Sequence, residues 1–361
     1  MSYDFRLMSK GRMARSAAVV NVLRGKEIRM ETLSVWLCVA LLACVVVGAA
    51  GGTVYAVTAT KPESTRVIEV AAPLGGAKTF EAATDNGAIT VAGKDTEDCT
   101  VAATVRAWAS KKERADALAA GTSVELVPSG EVLRVKITRP SASRGESVVV
   151  SLAVTLPKRA ALTLASENGR IVADDVSAIS AKTENGRIQC SNIKGPVRVE
   201  THNGAVTCTN VTGDLSVKTG NGAVQCATVG GSADLATRNG AVDCTGVAGD
   251  LRVKSKNGAV TCLDVRGNAT IGTENGRVTV AYAKDAPPKP SIAIETENGA
   301  VEFSAPESFS AEIVISTHRG HVSVALAMSV KVKREGRLEG TIGQGGGSLR
   351  LTTENGRISV K

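Results

Sequence analysis

Gly249-Asp-Leu-Arg-Val-Lys-Ser-Lys-Asn-Gly-Ala-Val-Thr-Cys-Leu-Asp-Val-Arg266 is one turn of a repeat. Leu251, Val253 and Ser255 alternate with Arg252, Lys254 and Lys256; after Asn257-Gly258, Val260 and Cys262 alternate with Ala259 and Thr261. Alternation with period two marks strands that bury one face. Each unit therefore predicts two short strands broken at Asn-Gly, with a second corner near Gly267.

The Asn-Gly phrase recurs along residues 161–281, with its asparagines at Asn168, Asn185, Asn203, Asn221, Asn239, Asn257 and Asn275, a first step of 17 residues and then steps of 18. A short fixed period means one small unit stacked many times. Asn-Gly between strands is also a hairpin signal, so a meander of hairpins is the alternative. In a parallel solenoid, residues one period apart lie above one another at ~4.8 Å. Identical side chains then form ladders, and stacked Asn amides hydrogen-bond along the stack. A meander would place the same residues two strands apart, with less reason to match. The expected fold is thus all-β, a single-chain parallel β-solenoid of 18-residue rungs. The corner glycines are expected to supply a positive φ.

Cys190, Cys208, Cys226, Cys244 and Cys262 form a second ladder, each two residues after an inward Val or Ile. Other rungs put Val280, Phe303 and Val360 in that place, which makes it a core position where Cys acts as a small hydrophobe. Disulfides between rungs and a thiolate metal array are the alternatives. Metal ligands usually come as close pairs within a loop, and no C-x-x-C is present.

The chain has 361 residues, with 37 glycines and only 2% aromatic residues, as suits a narrow interior. Residues 1–32 carry seven basic and three acidic side chains, half of the net charge of +8. That distribution argues against a nucleic-acid-binding domain. Residues 33–58 are uncharged and apolar, long enough to cross a bilayer, and the basic flank before them keeps the N-terminus cytoplasmic. A cleaved signal peptide is the alternative, with Gly48-Ala49-Ala50 small enough for a protease, but the apolar run continues past that point. The expected organisation is a basic cytoplasmic segment 1–32, a transmembrane helix 33–58, a linker 59–66, a β-rich N-terminal cap module 67–160 and solenoid repeats 161–361. Such a chain sits in the cell membrane as a single-pass protein, with its bulk periplasmic or extracellular.

Within the cap, residues 79–91 are a degenerate rung, and 111–120 predict the one soluble helix, capped by Ser110 and Gly121. Strands are expected at Ser123–Val127, Val132–Ile137 and Val148–Leu156. A cap is needed because open strand edges aggregate. After Val280 the period slips through a surface insertion, Tyr282 to Pro290, and rungs resume at Thr296, Thr317 and Thr353.

Chemistry-bearing motifs are sparse. His202, His318 and His321 fall at outward or corner positions, and no Ser-His-Asp set or metal-spaced cluster is visible. Gly343 to Gly347 lacks the Lys-Ser/Thr of a phosphate loop. No cofactor is expected. A polysaccharide-active β-helix enzyme such as a lyase is the alternative class, but an acidic ladder begun by Glu167 and Glu184 is broken by His202, Gly220, Arg238 and Lys256. The outward face of the first strand carries Lys218, Arg238, Arg252, Lys254 and Lys256, a candidate face for an anionic glycan, lipid headgroups or another envelope protein. A solvated face relieved by Asp234 and Glu200 is the competing reading.

The T-x-N-G rungs followed by V-x-C or V-x-V, the cap helix and the closing Leu349-Arg-Leu-Thr-Thr-Glu-Asn-Gly-Arg-Ile-Ser-Val360 resemble a bacterial β-solenoid family of suspected adhesins, a domain of unknown function. The likeness covers roughly residues 68–361; the Cys ladder is not part of the family pattern. The resemblance implies a non-enzymatic envelope protein and supplies no catalytic residues.

Overall fold

A computed structural model describes residues 62–361. The expected segments 1–32 and 33–58 lie outside the described residues. Among the described residues no helix is long and apolar enough to cross a membrane.

The described chain folds into two sheets of mostly parallel strands, of fourteen and fifteen strands, in the arrangement of a β-solenoid. Each rung contributes one strand to each sheet. Leu251–Lys254 lies in the sheet that ends in the Thr of T-x-N-G (the threonine sheet), and Val260–Val265 lies in the sheet that carries the cysteines (the cysteine sheet). Successive rungs pair in register: Val199 opposes Val217, which opposes Leu235, and Cys208 opposes Cys226, which opposes Cys244. The meander is excluded by these parallel pairings. Inward residues from both sheets, including Val217, Leu235, Val253, Cys244 and Val260, form one continuous core.

The rung boundary at the second corner rests on a left-handed residue. Asp175, Asn192, Asn210, Thr228, Gly246 and Asp264 occupy equivalent positions with φ between 54° and 72°. Each precedes an inward Val or Ile, so Cys190 and Ile193 both face the core although they are an odd number of positions, three, apart. The left-handed residue, repeated at the same place on successive rungs, turns the strand toward the corner without breaking register.

The Asn-Gly glycines do not adopt positive φ, against expectation; they are needed for proximity instead. A Cβ on Gly204 would sit 1.8 Å from the carbonyl oxygen of Gly186, and one on Gly222 would sit 1.9 Å from that of Gly204. The corners stack so closely that no side chain fits between them.

The stack starts within the residues expected to form the cap. Thr79–Thr84 and Ile89–Lys94 form a rung beneath Ala161–Ser166 and Ile171–Asp174. The intervening residues cover its end. Ser147–Pro157 pairs with Ile89–Lys94 and carries the antiparallel strands Asp98–Trp108 and Glu63–Pro73, while the hairpin Ser123–Ser129 and Val132–Thr138 extends the threonine sheet. Glu63–Arg66, expected as linker, are strand because they pair with Val105–Trp108. The helix runs over Lys112–Ala120, buries Ala115, Leu118 and Ala119, and lacks the Ser110 cap: Lys111 is the N-cap and makes no side-chain bond. Gly121 ends it in a right-handed conformation, its N–H bonded to the Ala117 carbonyl.

At the far end the rung order departs from chain order. The last rung, Ser348–Asn355 with Ile358–Val360, inserts between Ser291–Asn298 and Ala311–Arg319. The insertion after Val280 is partly internal, because Tyr282, Ala283 and Ala286 are buried and the Tyr282 hydroxyl donates to the Gly267 carbonyl at 2.8 Å.

Candidate functional site

Both side-chain ladders form as the period implies, and a third accompanies them. Asn amides run unbroken from Asn86 to Asn355: Asn185 donates to Asn168, Asn203 to Asn185, Asn221 to Asn203 and Asn239 to Asn221, each at 2.7 Å. Asn257 and Asn275 continue the series at 2.8 Å. The buried Thr of T-x-N-G clamps the corner. Thr201 Oγ1 accepts the Gly204 N–H and donates to the Gly186 carbonyl, both at 3.1 Å.

The sequence reading missed a ladder at the second corner. Asp214 accepts the Ser232 N–H, Ser232 accepts the Asp250 N–H, and Asp250 accepts the Asn268 N–H at 3.0 Å. Its signal was present as Gly-Asp, Gly-Ser, Gly-Asp and Gly-Asn at period 18.

Cys190, Cys208, Cys226, Cys244 and Cys262 are all free and buried, one per rung in single file. The Cys226 and Cys244 sulfurs are 2.9 Å apart as a thiol hydrogen bond. That bond and burial push the Cys226 thiol far up; the equivalent contact with Cys190 and burial raise Cys208. Burial is the main cause for Cys262. Cys99, buried in the cap strands, is pushed up to about 12 by burial. The raised thiols of Cys99, Cys208, Cys226 and Cys262 stay protonated and inert while folded.

Of the five basic candidates, four line one shallow depression of about 410 Å³: Lys218, Arg238, Lys254 and Lys256. Lys218 and Lys254 project from strands in one register column, with Ala236 between them. Arg238 and Lys256 occupy adjacent corners, held in register by the Asn239–Asn257 bridge. Gly220 and Ala236 keep the floor low. Here the corner itself changes. The Gly258 and Gly276 N–H groups bond to the Asn275 and Asn298 carbonyls, and the buried Ser255 and Thr273 hydroxyls are left without a partner.

Arg252 lies elsewhere, in a second depression of about 500 Å³ with Arg198, Asp214, Asp234 and Asp250. It sits two residues before Lys254, so it belongs to a different column. Glu200 turns to Lys182 at 3.6 Å rather than to Lys218, and Lys256 pairs with Glu274 at 3.2 Å. Among the described residues Lys218, Arg238 and Lys254 have no ion-pair partner. His202 lines the basic depression, whereas His321 lies at the C-terminal end of the stack.

No curated protein matches the chain. Solved structures similar to it include a candidate cell adhesion protein from Clostridium sporogenes, 11% identical, covering 82% of this chain and 99% of that one with a TM-score of 0.24. Two from Parabacteroides distasonis are described as a candidate adhesin and a candidate lipid binding protein. They are 12% and 13% identical, cover 66% and 67% of this chain and 97% and 96% of theirs, and each has a TM-score of 0.41. The family model described as Toastrack DUF4097 matches residues 60–361, the whole of the two-sheet stack with its ladders, and the chain belongs to that family.

Proposed function

We propose that this chain is a non-enzymatic scaffold of the cell envelope, anchored by residues 33–58 with its N-terminus cytoplasmic, whose solenoid displays a basic block to a repeating anionic polymer, an acidic glycan being the chemistry that fits. The observation that carries this reading is the convergence of Lys218, Arg238, Lys254 and Lys256 on one depression in which, among the described residues, only Lys256 has an acidic partner. Rungs are ~4.8 Å apart, so Arg238 and Lys256 repeat at that spacing and Lys218 and Lys254 at twice it. Two exposed unit charges at ~5 Å repel by about 0.8 kcal/mol in water. A polymer with evenly spaced anions relieves that repulsion at several points along the rod. In the carboxylate-bearing depression, Asp214 and Asp250 are engaged by backbone N–H groups of the next rung, which supports structure there over acid–base chemistry.

The test uses the full chain in detergent against acidic and neutral glycans, and against anionic lipid vesicles as a separate arm. Binding of the acidic glycan that weakens as salt rises, and that is lost in the Lys218/Arg238/Lys254/Lys256→Ala variant, supports the reading. Binding by the variant at wild-type strength, or preference for neutral glycans, overturns it.

A further inference from the structure

The two sheets end unequally at the C-terminal end of the stack. The threonine sheet continues past Ala311–Arg319 by two antiparallel strands, Arg337–Ile342 and then Met328–Arg334. The cysteine sheet stops at Val322–Val324, which pairs only with Ile358–Val360. Two strands of one sheet therefore overhang an end where the other sheet has none.

The residues around this step are those of an unfinished core. Ile358 and Val360, one rung inside, are 0% and 1% exposed. Val322 and Val324 continue their columns but are only half-buried. They line a depression of about 550 Å³ with Met328, Val330 and Leu338. Val330 is 53% exposed, a large apolar side chain with nothing over it among the described residues.

The backbone of the last strand is unfinished too. The His321 carbonyl accepts the Ile358 N–H, and the Ala325 N–H donates to the Val360 carbonyl. In a parallel ladder alternate residues bond to one neighbour. The N–H and C=O of Val322 and Val324 therefore point to the open edge, where the sheet has no further strand. Such an edge is a template for another strand.

Charge selects the occupant. The rim carries three basic side chains, Lys333, Arg334 and Arg337, against one acid, Glu335; Lys333 and Arg334 have no ion-pair partner among the described residues, while Arg337 and Lys331 already hold Glu339 and Glu312. Two copies meeting end to end would bring these basic rims together. We propose that the edge Val322–Val324 is a docking site for an extended segment of another protein that alternates apolar with acidic residues, added as one more strand of the cysteine sheet. Its apolar residues would fill the step over Val330 and Leu338, its backbone would pair with Val322 and Val324, and its carboxylates would meet Lys333 and Arg334.

The test measures binding of the full chain in detergent to a labelled nine-residue peptide alternating Val with Glu, beside its Val–Lys counterpart. The expected result is at least tenfold tighter binding of the Glu peptide and new amide-exchange protection at Val322 and Val324. Val330→Asp, on an exposed hairpin, should weaken that binding at least tenfold. Lys333→Glu with Arg334→Glu should invert the preference toward the Lys peptide. Equal binding of both peptides, no binding of either, or no added protection at Val322 and Val324 overturns the proposal. Concentration-dependent dimerisation abolished by Val330→Asp also overturns it, in favour of a second copy at this end.

Discussion

A β-carbon on Gly204 would sit 1.8 Å from the carbonyl oxygen of Gly186, a distance at which backbone must move. The same clash recurs at each Asn-Gly corner, so the corner is set by the rung below rather than by its own dihedrals. Gly204→Ala is expected to destabilise the fold by about 3 kcal/mol or more, since neither backbone can retreat without shifting its neighbours. Gly272 is the control. A Cβ there meets nothing within 4 Å, and Gly272→Ala should stabilise by roughly 0.5–1 kcal/mol. Denaturant unfolding of the two variants checks the contrast, and equal effects would refute the packing argument.

Thr228 holds φ at 57°, where its neighbours in the column are Asn210 and Gly246. A left-handed conformation costs an ordinary residue about 1–2 kcal/mol and is worst for a β-branched one. Thr228→Asn should raise stability by roughly 1 kcal/mol. A lower midpoint in urea for the variant would show that the threonine is not strained.

Thr201 and Ser255 occupy equivalent places with opposite bonding. Thr201 Oγ1 serves both the Gly204 N–H and the Gly186 carbonyl, whereas the Ser255 hydroxyl has no partner. Thr201→Val leaves two buried backbone groups unsatisfied and should cost about 1–3 kcal/mol for each. Ser255→Ala removes a group that is already unsatisfied and should be neutral or stabilising. A large loss in Ser255→Ala would point to a hidden partner for that hydroxyl.

The raised thiols give the fold an alkaline limit. Unfolded Cys ionises near its ordinary value of 9.0, whereas Cys99 ionises at about 12 and Cys208, Cys226 and Cys262 higher than usual when folded. Above pH 9 the unfolded chain therefore holds fewer protons than the folded one. Stability is fully present below pH 9 and falls as pH rises from there toward 12. Replacing Cys208 with Val should flatten that fall when midpoints are compared between pH 8 and 11. Thiol-reactive dye should label the ladder only in unfolded protein, and prompt labelling of native protein would contradict burial.

The strand alternation, the period and the two ladders were legible in the sequence because a parallel stack puts equivalent residues in direct contact. A repeat of 18 then reports contacts as well as local structure. Asn185 to Asn275 and Cys190 to Cys262 fall into columns from the period alone. The same logic grouped the basic residues, but it counted Arg252 with Lys254, although their two-residue offset puts them over different depressions.

Tertiary structure decided the rest, because those features depend on contacts that no period encodes. Why Gly stands at each corner is a matter of the neighbouring rung's carbonyl, which local sequence does not show. The final rung entered the stack between two earlier ones because Ser348–Asn355 pairs on both sides, a choice made by strand edges far apart in the chain. The uneven end at Val322 and Val330 follows from that same choice: it appears only when two sheets, each regular in sequence, stop at different heights.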